Sequence, residues 1–593
     1  MEFKKFCSFL ARMEKTSKRL EIMAIIQDLF KQEDLFDEDG TPIHDKIVYL
    51  MQSRLYPDFL MKPELQMAKE LAKRAIAQAT GFKAQTVNEV FKKAGDLGTA
   101  FAMLKQKGKQ TTLFTSATSL SVSDVYNTML QIANYSGTDS QAKKIAMLSG
   151  LLSRCEALEA KYIGRFVDAK MRLGSADLTL IEAVARMLAK DEEDQPACRE
   201  IIERAYNIYP DLGHVIKTAF LEGLDALKAF EPQLGVPIRA MLAQRLETPE
   251  EFIEKHGGAF AVEYKLDGER LQTHKQGDNI TLFSRRQEVI TSQFPDVVEN
   301  MSRYITATDV ILDGEVVAIE PGTGKLKEFQ ILMRRRRKYG VDEKMEEIPT
   351  RVYLFDVLFY EGKSMLDTPY LQRRELLEQI IAMDPPQDKI LPVPQKIVNN
   401  LDELVEYFNQ AIADGTEGLL TKSIKEESVY QPGARGWLWI KLKSLQRGKL
   451  PDSIDVVVVG VNWGEGRRAS QYGTLLVAIK NENTGNFEML TRVSSGMDDE
   501  KAEFFLKNLK VIPSCPKNVK TSEEPDKWIE PDTVLEIIGD EITESPNSVI
   551  GYSIRFPRIV RIRDPDDKGP DDITTVDEVL SMRTTTSIDD DNA

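Results

Sequence analysis

The segment Glu263-Tyr264-Lys265-Leu266-Asp267-Gly268-Glu269-Arg270 holds the residue types of a nucleophilic centre. A lysine at the end of an apolar strand run, followed by an Asp-Gly turn and an arginine, presents an amine from a rigid support. A free lysine, with a pKa near about 10.4, is almost wholly protonated at neutral pH. Nucleophilic work therefore requires burial or neighbouring cations to depress it. Arg270, Lys422 and Lys441 are the candidate neighbours. Taken alone, the octapeptide also reads as a surface lysine beside a hairpin turn.

Companions in a fixed order weigh against that plain reading. They are Ser284-Arg285, Leu312-Asp313-Gly314-Glu315, Phe355-Asp356, Glu417-Gly418-Leu419-Leu420-Thr421-Lys422 and Trp439-Ile440-Lys441-Leu442-Lys443. In this ordered set the chain resembles the covalent nucleotidyltransferases, and within them the ATP-dependent DNA ligases of the archaeal and eukaryotic replicative type. The resemblance spans nearly the whole chain. It includes EAKYIGRFVDAKMRLG at 159–174, VNWGEGRRASQYGTLLVAI at 461–479 and SIRFPRIVRIRD at 553–564.

The resemblance implies roles residue by residue. Lys265 attacks the α-phosphate of ATP to give a lysyl-AMP, and Glu263 reads the adenine amino group. Phe355 stacks on the base. Arg270, Arg285 and Arg435 hold ribose and phosphates or the nick phosphate, as paired guanidinium donors suit oxyanions. Lys441, with Lys422 and Lys443 behind it, neutralises charge at the α-phosphate. Glu315 and Glu417 are the carboxylates for Mg2+, a hard ion that prefers oxygen. Asp313 either assists them or caps a turn, and Asp267 shapes the turn that aims Lys265. AMP then passes to the 5′-phosphate of a nick, and the 3′-hydroxyl displaces it. Arg555-Phe556-Pro557-Arg558, Arg561 and Arg563 resemble the family's last motif. Pro565 and Asp566 lengthen that motif, so the register of Lys568 stays open.

The implied partner is nicked double-stranded DNA, with Arg165, Lys170 and Arg172 as phosphate contacts that position the duplex without reading sequence. Gln110, Leu113 and Phe114 have the spacing of a short sliding-clamp box, with an ordinary loop as the alternative. The run Met333-Arg334-Arg335-Arg336-Arg337-Lys338 reads as a solvated basic face along DNA or, by composition, as a nuclear-import signal. The His residues stand apart from any metal-like spacing. RNA ligases and capping guanylyltransferases share the lysine chemistry, but a large helical N-terminal domain favours duplex DNA. A catalytically dead DNA-binding scaffold is opposed by the presence of Lys265, Glu315 and Glu417.

The elements that must position these residues follow from texture. Across the first 230 residues the prolines are only Pro42, Pro57, Pro63, Pro196 and Pro210. Ile22, Ile25, Ile26, Leu29 and Phe30 recur at helical spacing, and Thr86 with Glu89 forms a capping-box pattern for a helix that Gly95 ends. Near Pro232, Gly235 and Pro237 the helical pattern stops. Short β-rich runs then alternate with turns. The expected architecture is multidomain. An all-α DNA-binding domain covers 1–232, and an α/β nucleotidyltransferase domain of mixed, ATP-grasp-like type covers 233–443. A β-barrel of OB type with an acidic tail covers 444–593.

With 593 residues, 42% hydrophobic and 29% charged, the chain is built to fold. Its 78 basic against 94 acidic side chains leave −16, which excludes a protein that coats nucleic acid through bulk positive charge but permits a local basic surface. The four cysteines, Cys7, Cys155, Cys198 and Cys515, have neither zinc nor disulfide spacing. No apolar run approaches the roughly 20 residues of a membrane span. The expectation is a monomer without membrane association, cytoplasmic and nucleoid-associated if archaeal, as the resemblance favours, or nuclear if eukaryotic.

Overall fold

The apolar spacing from Ile22 onward folds as the helix Arg19–Phe30, which buries Ile22, Ile25, Ile26, Leu29 and Phe30. The computed structural model describes residues 1–584 apart from 64, 66, 109–118, 138, 175, 176, 247, 336–344, 346, 383–387, 444–452, 465–470, 541, 546, 547, 566 and 567. Gln110, Leu113 and Phe114 of the clamp-box reading lie outside the described residues. The described residues form two compact units, Met1–Leu442 and Lys443–Ala593.

In the first unit, helices from Phe3–Glu14 to Leu224–Lys228 share one apolar core. Helix Ala157–Val167 lies against helix Leu97–Lys107 through Gly164 and Gly98. A Cβ on Gly164 would stand 2.9 Å from the Gly98 Cα, so the contact demands small residues there. Helix Ala84–Ala94 ends on Gly95 at φ +71°, the left-handed C-cap expected of that glycine. Its start corrects the Thr86–Glu89 capping box. The helix is already under way at Ala84, Lys83 occupies the N-cap, and Glu89 accepts from Gln85 Nε2 at 3.0 Å.

The chain between Lys228 and Leu242 is tied to the sheet that follows. Ile238 N donates to Gln272 Oε1 at 2.8 Å, Gln272 Nε2 returns to the Ile238 carbonyl at 3.1 Å, and Gly235 N donates to His274 Nδ1 at 3.0 Å. The buried backbone of a proline-interrupted strap is thereby satisfied by side chains of the neighbouring strand.

Two sheets follow. One has strands β1 (Leu242–Arg245), β2 (Phe260–Lys265), β9 (Gln395–Val398), β10 (Gly418–Ser423) and β11 (Arg435–Lys443), in the order β1-β11-β10-β2-β9. The other has β3 (Glu269–Gln276), β4 (Asn279–Ser284), β5 (Asp309–Ala318), β6 (Thr350–Tyr360) and β7 (Lys363–Ser364), in the order β4-β3-β5-β6-β7, with β8 (Ile390–Pro392) pairing β6. The Asp267-Gly268 turn joins them. A Cβ on Gly268 would fall 2.3 Å from the Val316 carbonyl oxygen and 2.9 Å from Glu315 Cγ, so only glycine lets the turn press onto β5. Side chains from both sheets meet in one apolar cluster, with Ile311 and Leu358 from one and Trp439 and Leu420 from the other.

The second unit is built on β12 (Ile454–Trp463), β13 (Tyr472–Asn481) and β14 (Asn486–Val493), joined by the strands Val534–Ile538 and Arg558–Ile562 and by shorter ones. Val456 and Val458 enter one core, while Val457 and Val459 enter another on the opposite face. This two-sided burial is why the run VVVV shows no alternation. At its margin Asp455 takes Arg563 Nε at 2.8 Å and Lys568 Nζ at 2.5 Å. Among the described residues no helix is long and apolar enough to cross a membrane.

Candidate active site

Lys265 is the last residue of β2 and pairs with Gly418 of β10. The two-residue strand period puts Glu263 and Lys265 on one face, and Leu420 lies directly opposite Glu263. Lys265 Nζ stands 2.5 Å from Glu417 Oε2, with both side chains about one-quarter exposed. The amine is thus held at the mouth of a partly solvated site, against a carboxylate.

Three further carboxylates converge there. Burial pushes the Glu315 carboxyl up to about 7, with Lys265 and Arg270 opposing the shift and Asp313 and Glu417 adding to it. Asp267 rises to about 6 through burial, then through the charge of Glu417 and a hydrogen bond with it. Phe329 N also donates to Asp267 Oδ2 at 3.5 Å, so this residue does more than shape the turn.

Arg270 is oriented by a rigid frame. Its Nε and Nη2 meet Asp313 Oδ1 and Oδ2 at 3.0 and 2.5 Å, and its Nη1 donates to the Met241 carbonyl at 2.8 Å. Tyr430 Oη donates to the same Asp313 at 2.8 Å. Both oxygens of Asp313 are therefore engaged, and the residue lies within β5 rather than capping a turn, where it orients Arg270. Arg285 borders the same small pocket as Arg270, Gln272 and Asp313.

Phe355 is the extra residue of a bulge. Asp313 pairs with Asp356 and Gly314 with Leu354, which leaves Phe355 unpaired on β6. Such a bulge re-aims one side chain. The ring lies 5.3 Å from the Arg270 guanidinium and 5.2 Å from Lys422 Nζ, edge-on to Trp439. Behind it, Arg373 and Asp356 form a fully buried ion pair with Nε to Oδ1 at 2.6 Å.

Glu263 is 1% exposed. Lys422 Nζ lies 2.7 Å from its Oε2, and Tyr370 Oη donates to its Oε1. Lys422 also donates to the Phe355 carbonyl at 3.0 Å, and burial lowers its pKa. Lys441 is half-buried on β11 opposite Arg245. Arg435, exposed at the first position of β11, stands roughly 20 Å away along the same strand.

Two basic readings change. Arg165 is 4% exposed, with Nη2 at 2.9 Å from Glu14 Oε1 and Nε at 3.5 Å from Asp96 Oδ1, so it joins helices inside the first unit rather than facing a DNA phosphate. Arg335 is fully buried against Asp296 and Thr350, so the run from Met333 is not a uniformly solvated face. Lys170 is exposed, and Arg172 is half-buried at φ +59°.

Comparison with known proteins supplies the family. The chain is 42% identical to the DNA ligase of Saccharolobus solfataricus, over 98% of this chain and 97% of that one. The DNA ligase of Saccharolobus islandicus is equally similar over the same shares. The chain belongs to the ATP-dependent DNA ligases. Three family models match in order. They are DNA ligase N terminus at 2–185, ATP dependent DNA ligase domain at 240–443, and ATP dependent DNA ligase C terminal region at 468–567. A solved structure titled "Pmar-Lig_Pre." shares the fold, with a TM-score of 0.54 and 16% identity over 94% of this chain and 99% of that one. As a ligase of this family the protein is an enzyme that uses ATP, with Mg2+ as the usual metal.

The donor set fits such a metal. Glu315 and Glu417 offer hard oxygen ligands, and burial, the main cause of the raised Glu315 and Asp267 carboxyls, sets a cost on their charged forms that a bound cation would offset. Among the described residues no group of three or more acidic, His or Cys side chains is arranged as a complete metal cage. This suits a Mg2+ that keeps water and phosphate ligands.

Sequence reasoning missed Tyr370, Arg374, Gln395 and Tyr430. Each lies in a segment with no motif and reaches the site only through tertiary contact.

Proposed function

We propose that the chain seals nicks in duplex DNA by three phosphoryl transfers, with the first centred on Lys265. The observation that carries this reading is the Lys265–Glu417 pair, set among Asp267, Glu315 and Arg270 in a chain of this family.

The ion pair with Glu417 Oε2 holds Lys265 Nζ in place until the nucleotide arrives, and the ammonium passes its proton to solvent before attack as the free amine. Nζ then forms a bond to the α-phosphorus of ATP, and the bond from that phosphorus to the bridging oxygen breaks, releasing pyrophosphate. Glu315 and Glu417 would hold Mg2+, which when bound neutralises phosphate charge. Phe355 stacks the adenine, Glu263 accepts from its amino group, Arg270, Arg285 and Arg435 hold ribose and phosphates or the nick phosphate, and Lys441 neutralises charge at the α-phosphate. The 5′-phosphate of the nick next takes AMP from Lys265, and the 3′-hydroxyl displaces AMP to close the strand.

This reading divides the chain into a helical DNA-binding domain (1–232), an ATP-grasp-like adenylation domain (233–443) and an OB-type domain (444–593). Lys170 and Arg172 contact the duplex. A monomer working at the nucleoid, with a sliding clamp as partner through Gln110, Leu113 and Phe114, completes it. A pull-down decides the clamp: equal capture of the parent and of Leu113→Ala/Phe114→Ala overturns that part.

The main test is incubation with Mg2+ and α-labelled ATP, GTP or NAD, followed by a chase with nicked DNA. Label from ATP alone, absent in Lys265→Ala and discharged by the nick, is the expected result. Label from GTP moves the chain to capping chemistry, and no label at all overturns the covalent-lysine mechanism.

A further inference from the structure

Glu263 does not stand alone beneath the lysine. Its Oε1 accepts from Tyr370 Oη, its Oε2 is 2.7 Å from Lys422 Nζ, and Arg374 Nη1 stands 3.7 Å from Oε1. Tyr370 Oη in turn accepts from Gln395 Nε2 at 2.5 Å. Gln395 sits on β9 directly across from Glu263, while Tyr370 opens the helix Tyr370–Ile380, where its backbone N–H donates to the Ser428 carbonyl at 2.8 Å. Tyr370 is 1% exposed, and Lys422 Nζ lies 4.7 Å above its ring.

These contacts have a direction. Gln395 donates to Tyr370, so the tyrosine hydroxyl has its one proton left for Glu263. A carboxylate that already receives an O–H and an ammonium is fixed in orientation and kept as an acceptor. With the base placed against Glu263, as the proposed function has it, the remaining lone pairs require a purine edge that donates. A 6-amino group satisfies that demand, whereas a 6-oxo group sets acceptor against acceptor, and a purine bare at position 6 leaves a buried polar atom without its partner.

We propose that Tyr370 and Gln395 are positioning residues that hold Glu263 as a fixed acceptor and thereby set the selectivity of the adenylation step for 6-aminopurine nucleotides. The inference rests on the reading that Glu263 faces the base. It adds a relay that reaches Glu263 from outside every ordered motif of the chain.

The test compares ATP, GTP and purine riboside triphosphate in single-turnover adenylation of the full chain, for the parent, Tyr370→Phe, Gln395→Ala and Glu263→Gln. In the parent, ATP is favoured over the analogue lacking the amino group by roughly ten- to a hundredfold in kcat/KM, the range of one hydrogen bond to a charged group. Tyr370→Phe keeps the ring and its packing, and it reduces that preference about tenfold, through KM for ATP rather than through kcat. Gln395→Ala reduces it in the same direction and by less. Equal losses for ATP and for the analogue, with the ratio at the parental value, mean a merely structural tyrosine and overturn the proposal. If Glu263→Gln alters the ratio while Tyr370→Phe does not, the relay fails and the reading of Glu263 stands. If neither the parent nor Glu263→Gln distinguishes the nucleotides, the reading beneath it fails as well. Circular dichroism and the urea midpoint of Tyr370→Phe guard against a folding defect, and Gln395→Ala, at a half-buried position, provides an independent second readout.

Discussion

The Lys265 side chain and backbone are both tied to Glu417. Nζ lies 2.5 Å from Glu417 Oε2, and the Glu417 N–H donates to the Lys265 carbonyl at 2.8 Å. The lysine at the end of β2 and the carboxylate just before β10 therefore share one fixed geometry, although the sequence places them far apart. Any change at Glu417 acts on the orientation of the amine as well as on the local charge.

Glu417→Gln is expected to slow enzyme adenylation roughly 100-fold, in the range of losing one preorganised electrostatic contact, and to raise the Mg2+ concentration at half-maximal rate. Lys265→Ala is expected to take no label from α-labelled ATP and still to seal a nick supplied already adenylated, because that step needs no lysyl nucleophile. A Glu417→Gln enzyme that adenylates at the parental rate at every Mg2+ concentration sinks the assignment.

The raised carboxyls give a pH signature in metal-free enzyme. Burial pushes the Glu315 carboxyl in the fold up to about 7, against 4.5 as its ordinary value, and the Asp267 carboxyl up to about 6, against 3.8. Between those limits the folded state binds more protons than the unfolded one, so stability contributed by these groups falls as pH rises from about 4 to about 7. Thermal unfolding in a chelator should show Tm declining across that window, with a shallower decline in Glu315→Gln. An identical slope in parent and variant removes Glu315 as the cause.

What was legible in the sequence is what local chemistry fixes. The strand run ending at Lys265 and the Asp-Gly turn after it are of this kind, whereas the need for glycine at 268 comes from β5, where a Cβ would meet the Val316 carbonyl. Tyr370 was not legible, since it meets Glu263 across 107 residues and sits in no motif. Nor was the aim of Phe355, which depends on a bulge set by how β5 and β6 pair. Arg165 misled for a related reason. It shares a segment with the exposed Lys170, but the carboxylates that bury it, Glu14 and the N-cap Asp96, come from distant parts of the chain. The Thr86–Glu89 pattern failed because the helix gains its first turn from Ala84 onward and needs no box.

Lys422 and Glu263 are both essentially unexposed. Removing one partner of such a pair leaves an uncompensated buried charge, which typically costs about 3–5 kcal/mol. Lys422→Met is therefore expected to lower the urea midpoint markedly, and Lys422→Met/Glu263→Gln to recover much of the loss. If the double variant is as unstable as the sum of its singles, the pair is not the source of the effect.

Asp313 orients Arg270 through both carboxylate oxygens. Asp313→Asn leaves one acceptor and no charge opposite the guanidinium, so KM for ATP should rise by roughly tenfold, the scale of a lost charge-assisted hydrogen bond. The Mg2+ dependence should keep its parental midpoint. A shift of that midpoint with KM for ATP unchanged would instead make Asp313 a metal ligand.

Arg165 and Lys170 lie five positions apart and should fail in different ways. Lys170 is exposed, so Lys170→Ala should weaken binding to nicked duplexes of any sequence alike and reduce the slope of log affinity against log salt by about 1, the signature of one lost phosphate contact. Arg165 is 4% exposed between Glu14 and Asp96. Burial alone would raise the Glu14 carboxyl, but hydrogen bonds from Arg165 and Lys161 outweigh it and hold that group at about 2. Arg165→Met should leave the salt slope unchanged and lower the stability of the helical region. Because the folded Glu14 carboxyl sits below its ordinary value, the stability it contributes is present above about pH 4.5 and lost as pH falls toward about 2. The acid-induced unfolding of the parent should accordingly be steeper than that of Arg165→Met. Salt titrations of DNA binding together with acid titrations of both variants separate the two roles, and a reduced salt slope in Arg165→Met would return that residue to the DNA surface.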